Sequence, residues 1–277
     1  MSDLVTFGID RGVGVITLNS PDSLNALSDD MHVALNRAFV DAYRSEDARV
    51  IVLTGAGRAF CAGADLARLT ALIETRGASY DIPRPGSQPV AAFAGIDAPP
   101  ELLTTYTFPL AMNKPVIAAV NGPCVGVGFV LAACCDVRFL SDRAFFDSAF
   151  PQRGLVAEFG LAWLLPRLVG HGAASDILLS GRRVRADEAQ QLGLANRVVP
   201  GDDLLDTALD YARAMAASAA PSSLRVIRRQ LWRAHHQSYG DATAEAWDLL
   251  MTALAGDDFI EGVNSFLEKR PANFTGR

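Results

Sequence analysis

Four carboxylates stand where acid–base chemistry could be done. Asp65 follows the small-residue run Ala62-Gly63-Ala64, Asp136 closes an apolar segment, Asp147 lies in a Phe-rich loop, and Glu158 interrupts Gly154-Leu155-Val156-Ala157-Glu158-Phe159-Gly160. An acid set in an apolar wall has a raised pKa and can move protons. The same acid exposed at a helix N-terminus is simply favoured by the helix dipole. The neighbours of Glu158 leave both readings open. A second kind of chemistry needs no side chain. In Asn113–Asp136 an apolar run, Val116–Val120, predicts a buried strand; Asn121, Gly122 and Pro123 stop it, and a helix is expected to begin near Gly126. Unpaired N–H groups and the positive end of the helix dipole would converge at that turn, a place to stabilise a developing negative charge.

Other chemistries find less support. Gly126-Val127-Gly128 follows a strand, but Leu131 stands where a dinucleotide fingerprint has its third glycine. His32, His171, His235 and His236 form no ligand pattern, so no metal is expected, and structural histidines are the reading. Cys61, Cys124, Cys134 and Cys135 lack Cys-x-x-Cys spacing and read as free buried thiols, although Cys61 and Cys124 flank the Gly-rich turns where a nucleophile could sit.

Elements to position these groups are legible along the chain. Leu4–Asp10 and Gly12–Leu18 read as strands around an Arg11-Gly12 turn, Ser28 as the cap of a helix to about Arg44, and Val50–Thr54 as a buried strand. Six prolines between Arg76 and Pro109 exclude one regular element and predict a mobile substrate-side loop. Val137–Leu140 reads as a strand, Phe145–Gly154 as a connecting loop, and Gly160–Val169 and Ala173–Ser180 as helices. A short helix over Ala186–Leu192 ends at Gly193. Helical periodicity then covers Asp202–Ala219, Ser222–His235, Asp241–Leu254 and Asp258–Leu267. Alternating strands and helices followed by helices alone predict an α/β core over 1–200 and a helical region over 201–277.

The 277 residues allow a large core, and a net charge of -6 excludes a general nucleic-acid binder. The first ten residues, MSDLVTFGID, lack the basic and apolar regions of a signal peptide, and no apolar run approaches the roughly 18 residues a membrane helix needs. A soluble, cytoplasmic protein with no membrane partner is expected.

The ordered segments SPDSLNALS, RAFCAGADL, NKPVIAAVNGPCVGVGFVLAACCDVRF, PQRGLVAEFGLAWLLPRLVG, LLSGRRVRADEAQQLGLANRVV and FLEKRPANF resemble the crotonase superfamily, the enoyl-CoA hydratase/isomerase family, over nearly the whole chain. The resemblance implies a crotonase-like β/α spiral core with an α-helical C-terminal trimerisation region, assembled as a homotrimer or a dimer of trimers. It implies an acyl-CoA substrate whose thioester carbonyl is held by the backbone N–H groups of Ala64 and Val127, with no cofactor beyond the coenzyme A of the substrate itself. It places coenzyme A near Leu24, Asn25, Ala26, Ala62, Asp65 and Leu66, with Lys269 supplying charge from its own or a neighbouring subunit. Many members have a Lys just after the second turn, where this chain has Ala67 and Arg68. The two glutamates of the family's hydratases match Val130 and Phe150, neither of which transfers protons. Glu158 matches the catalytic glutamate of peroxisomal-type 3-enoyl to 2-enoyl-CoA isomerases and the nucleophilic aspartate of the chlorobenzoyl-CoA dehalogenase branch. The expectation is isomerisation of an enoyl-CoA with Glu158 as acid and base. Hydration or hydrolysis through Glu158, and a catalytically silent acyl-CoA-binding paralogue, are the alternatives.

Overall fold

The computed structural model describes residues 3–81 and 91–276. The chain opens with β1 (Val5–Asp10), β2 (Val13–Leu18), α1 (Asp29–Arg44), β3 (Val50–Gly55), α2 (Leu66–Glu74) and α3 (Phe108–Ala111). It continues through β4 (Val116–Val120), β5 (Pro123–Val125), α4 (Val127–Ala133), β6 (Val137–Ser141), β7 (Phe145–Asp147), α5 (Leu161–Val169), α6 (His171–Ser180), β8 (Arg183–Arg185), α7 (Ala186–Gln191) and β9 (Arg197–Val199). Helices α8 (Leu204–Ser218), α9 (Pro221–Arg233), α10 (Tyr239–Leu254) and α11 (Asp257–Glu268) complete it.

One sheet runs in the order β1-β2-β3-β4-β6-β9. Its first pair is an antiparallel hairpin whose turn residues Arg11 and Gly12 have φ of 47° and 80°, the left-handed pair a two-residue turn requires. The remaining pairs are parallel, and their central strands are buried on both faces, which explains the near-continuous apolar runs of β3 and β4. Ile51 and Leu53 point into the core shared with α1, while Val50 and Val52 meet α8. Helix α1 begins where Ser28 Oγ accepts from the Met31 N–H at 3.2 Å, and Met31, Leu35, Ala38, Phe39 and Ala42 are buried at the expected spacing. Helix α8 covers the other face through Leu204, Ala208, Ala212 and Ala216, a row four residues apart whose small members let it lie close to the strands.

Two expectations are corrected. The Phe145–Gly154 stretch is not only a loop, because β7 pairs with β5 and β8 in a second, three-stranded sheet. Three-residue strands are too short to show a period, and these form through partners distant in sequence. The proline-rich stretch is irregular as expected, with residues 82–90 outside the described part, but its second half belongs to the core. Phe93, Leu102, Leu103, Tyr106 and Phe108 are buried, and the Phe108 ring stacks on Phe93 at 4.2 Å and on Phe39 at 5.3 Å.

Arg228 of α9 is nearly buried and donates to the carbonyls of Pro109, Leu110 and Met112 and, at 2.7 Å, to the Asp136 carboxylate. Asp136 also accepts from the Val116 N–H at 2.7 Å. This acid therefore joins the chain beyond α4 to β4 and α9, a structural post away from proton chemistry.

Candidate active site

Two backbone segments laid side by side create the centre of the site. The N–H groups of Phe60 and Cys61 both donate to the Pro123 carbonyl at 3.1 Å, and the Val125 N–H donates to the Cys61 carbonyl at 2.9 Å. Gly63 has a φ of +96° and lies against Val125, so close that a Cβ there would come within 2.9 Å of the Val125 carbonyl oxygen. Gly126 turns the second segment, its N–H bonded to the Asp147 carbonyl at 2.9 Å and its φ at 55°, into the first turn of α4. The peptides that follow, those of Ala64 and Val127, line one cleft, and among the described residues neither N–H donates to a backbone carbonyl. Helix α4 is apolar all round and wholly buried, which fixes the second donor. Fixed peptide donors in an apolar cleft stabilise an oxygen that gains negative charge.

The early loop is braced onto this centre. Leu24 and Asn25 both have a φ of 55°. The Leu24 carbonyl accepts from the Ala62 N–H at 3.0 Å and the Gly63 carbonyl from the Leu27 N–H at 2.8 Å. Leu24, Ala26, Ala62, Asp65 and Leu66 consequently line the same cleft. Asn25 does not line it. Its buried side chain accepts from the Ser20 N–H at 2.8 Å and donates to the carbonyls of Ala56 and Ala59 at 3.0 and 2.8 Å. It is a brace for the loop, and Asn25→Ala, which takes away the partners of the Ser20 N–H and the Ala56 carbonyl and leaves the Ala59 carbonyl to Asn121, is expected to destabilise the fold by about 2 kcal/mol in a denaturant titration.

Asp65 caps α2, its Oδ1 accepting from the Ala67 N–H at 2.8 Å. Arg68 bridges Asp29 and Asp81, with 2.6 Å to the latter, so its charge is already matched by two carboxylates. Lys269 sits in the left-handed region at the end of α11, exposed, and does not line the cleft of its own chain.

Glu158 lies in the turn before α5, where the Leu161 N–H donates to its carbonyl at 3.0 Å. Phe159 and Gly160 follow with φ of 48° and 76°. A non-glycine residue in that region is held by its surroundings, here by the Phe159 ring set edge-on to Tyr106 at 4.4 Å. Tyr106 in turn shares a 2.5 Å hydrogen bond with His32 Nε2. Among the described residues Glu158 and Asp65 are the acids lining the cleft, and with Asp65 engaged as a cap, Glu158 is the one of the two free for chemistry. Burial pushes its carboxyl above the ordinary value of 4.5.

The cleft measures about 1190 Å³. Of the two positions that match hydratase acids, Phe150 lines it with a ring and Val130 is sealed in the core. The thiol alternative is weakened: Cys61 and Cys124 are fully buried, and burial pushes the Cys61 thiol up to about 12 and the Cys124 thiol well above its usual range. His235 and His236 pack against Trp163. Sequence reasoning missed the pairing of Tyr106 with His32, residues 74 positions apart with no local motif to announce it.

Two peptide N–H groups without a backbone partner among the described residues and one acid whose pKa burial raises line the same apolar cleft. The family is then shown by comparison: the chain belongs to the enoyl-CoA hydratase/isomerase family, whose model matches residues 8–88 and 98–277. It is similar to a Mycobacterium leprae protein named as a probable enoyl-CoA hydratase, with 37% identity over 275 residues that cover 98% of this chain and 90% of that one. It is similar to the 1,2-epoxyphenylacetyl-CoA isomerase of Escherichia coli K12, with 32% identity over 277 residues and both chains fully covered. The crystal structure of an enoyl-CoA hydratase from Bacillus anthracis superposes with a TM-score of 0.85 at 27% identity, over 99% of this chain and 100% of that one.

Proposed function

We propose that the chain isomerises 3-enoyl-CoA to 2-enoyl-CoA. Glu158 takes a proton from the carbon next to the thioester, the enolate oxygen is held by the N–H groups of Ala64 and Val127, and Glu158 returns the proton to the γ carbon. The double bond moves without gain or loss of atoms. The observation that carries this reading is one free acid in the cleft among the described residues, because isomerisation needs one carboxyl to shuttle one proton. Coenzyme A would run along Leu24, Ala26, Ala62 and Leu66. The exposed apolar side chains of α10 and α11, among them Trp247, Met251, Phe259 and Phe266, support a homotrimer or dimer of trimers, from which Lys269 could reach a neighbouring subunit's substrate. No helix among the described residues is long and apolar enough to cross a membrane, which is compatible with the expected cytoplasmic location.

The names of several relatives favour hydration as a second reading. Incubation of 3-enoyl-CoA and, separately, of 2-enoyl-CoA in ¹⁸O-water separates the two. Isomerisation predicts 2-enoyl-CoA free of the label from the 3-enoyl ester. Labelled 3-hydroxyacyl-CoA from the 2-enoyl ester, with the 3-enoyl ester left unchanged, would establish hydration instead, and no product with either enoyl isomer would remove both.

A further inference from the structure

Four aromatic residues, Tyr80, Tyr106, Phe150 and Phe159, line the cleft with the peptide donors, and one polar group among them is unusually well fixed. Tyr106 is 2% exposed. Its hydroxyl shares the 2.5 Å hydrogen bond with His32 Nε2, and its ring carries Phe159, the residue next to Glu158. Anchoring the segment does not need that hydroxyl. Thr104 and Thr107 already bond each other at 2.7 Å, Thr107 Oγ1 donates to the Leu102 carbonyl at 3.0 Å, and the Phe108 N–H donates to the Thr104 carbonyl at 2.9 Å. Leu103 and Phe108 are buried on either side. A phenylalanine at 106 would keep the ring packing and avoid placing a polar pair in an apolar wall.

A tyrosine hydroxyl has one donor and two acceptor directions, and His32 takes one of them. Burial holds the phenol un-ionised and the imidazole neutral, so the pair presents hydrogen-bonding capacity and no charge. Tyr106 lines the cleft, and the charges of two other lining residues, Arg68 and Glu158, act on its phenol, which sets the remaining capacity on the side of the cleft. We propose that the Tyr106 hydroxyl, oriented by His32, binds an oxygen on the acyl group, so that the site takes oxygenated acyl-CoA esters (hydroxy, oxo or epoxy) in preference to plain hydrocarbon chains. Tyr106 is the specificity-determining residue and His32 its positioning partner. The proposal rests on the cleft being the acyl-CoA site.

Binding of unreactive esters tests it apart from turnover. Hexanoyl-CoA and its 4-, 5- and 6-hydroxy derivatives are saturated, with no double bond to move and no β-hydroxyl to eliminate; their Kd values can be measured by calorimetry for the wild type, Tyr106→Phe and His32→Gln. In the wild type at least one hydroxy ester should bind about tenfold more tightly than hexanoyl-CoA, the size of one good hydrogen bond. Tyr106→Phe should erase that preference, lowering the affinity for the hydroxy ester about tenfold more than that for hexanoyl-CoA. His32→Gln, at a residue outside the cleft lining that touches Tyr106, should reduce the preference in the same direction and serves if the first variant fails to fold. Equal affinity of the wild type for all four esters, a preference that survives both substitutions, or an equal loss for every ester would overturn the proposal. Failure of hexanoyl-CoA itself to bind would overturn the acyl-CoA reading of the cleft as well.

Discussion

Replacing Glu158 by Gln is expected to lower kcat on 3-enoyl-CoA by about 10²- to 10⁴-fold, the usual contribution of a positioned acid–base group, with acyl-CoA affinity retained. The amide keeps the shape of the side chain and removes the titration. Steady-state kinetics beside a binding titration checks both halves, and a variant with wild-type turnover would take Glu158 out of the mechanism. The pH profile of the native enzyme carries the same information. Glu158 must be ionised to accept a proton, so kcat/KM should rise with pH along an acid limb lying above 4.5, the direction in which burial moves this carboxyl. The sign for stability is opposite. A carboxyl whose folded-state pKa is raised adds stability that is fully present below its unfolded pKa and is lost as pH rises through the folded one. Glu158→Gln, neutral throughout, should therefore lose less stability than the wild type between acidic and neutral pH in thermal melts.

Gly128→Ala is the second large effect, and it acts without touching a reacting group. A Cβ at this position would lie 2.6 Å from the Cys61 carbonyl oxygen, 2.8 Å from Cys61 Cβ and 2.9 Å from its Sγ. The first turn of α4 must then move away from the segment that leads to Ala64, and the Val127 N–H moves with it. A displacement on the order of 1 Å at a catalytic centre costs about 10²-fold in rate. The overpacking itself is expected to destabilise the fold by about 1–3 kcal/mol. Gly172→Ala in α6 is the control, with nothing within 4 Å of the added Cβ and no expected loss of turnover. A soluble Gly128→Ala enzyme with unchanged kcat would show that Val127 is not a donor.

Both substitutions concern features with different visibility in the sequence. The Ser28 cap, the apolar run of β3 and the start of α4 at Gly126 could be read because each is a local signal of period, cap or turn. Glu158 stood out because it breaks an apolar stretch. The second sheet could not be read, since β5, β7 and β8 have three residues each and exist only through pairing across 22 to 40 positions. Asn25 looked like a ligand contact because of its place in the early loop, whereas its three hydrogen bonds turn it inward to hold that loop. Asp65 likewise lies at the cleft but is engaged in capping α2. In each case the residue type was informative and its direction was not, because direction depends on partners elsewhere in the chain.

The pair of peptide N–H groups at Ala64 and Val127 has one more property. Peptide nitrogen does not titrate in the physiological range, and among the natural residues only proline removes its hydrogen. If these groups hold the enolate as proposed, the device is indifferent to which acid serves it and from where. A carboxyl introduced at 130 or 150, or withdrawn from 158, would change the reaction performed on the bound thioester and leave the means of holding it intact. On this scaffold new chemistry is a matter of relocating one proton carrier around a stationary socket.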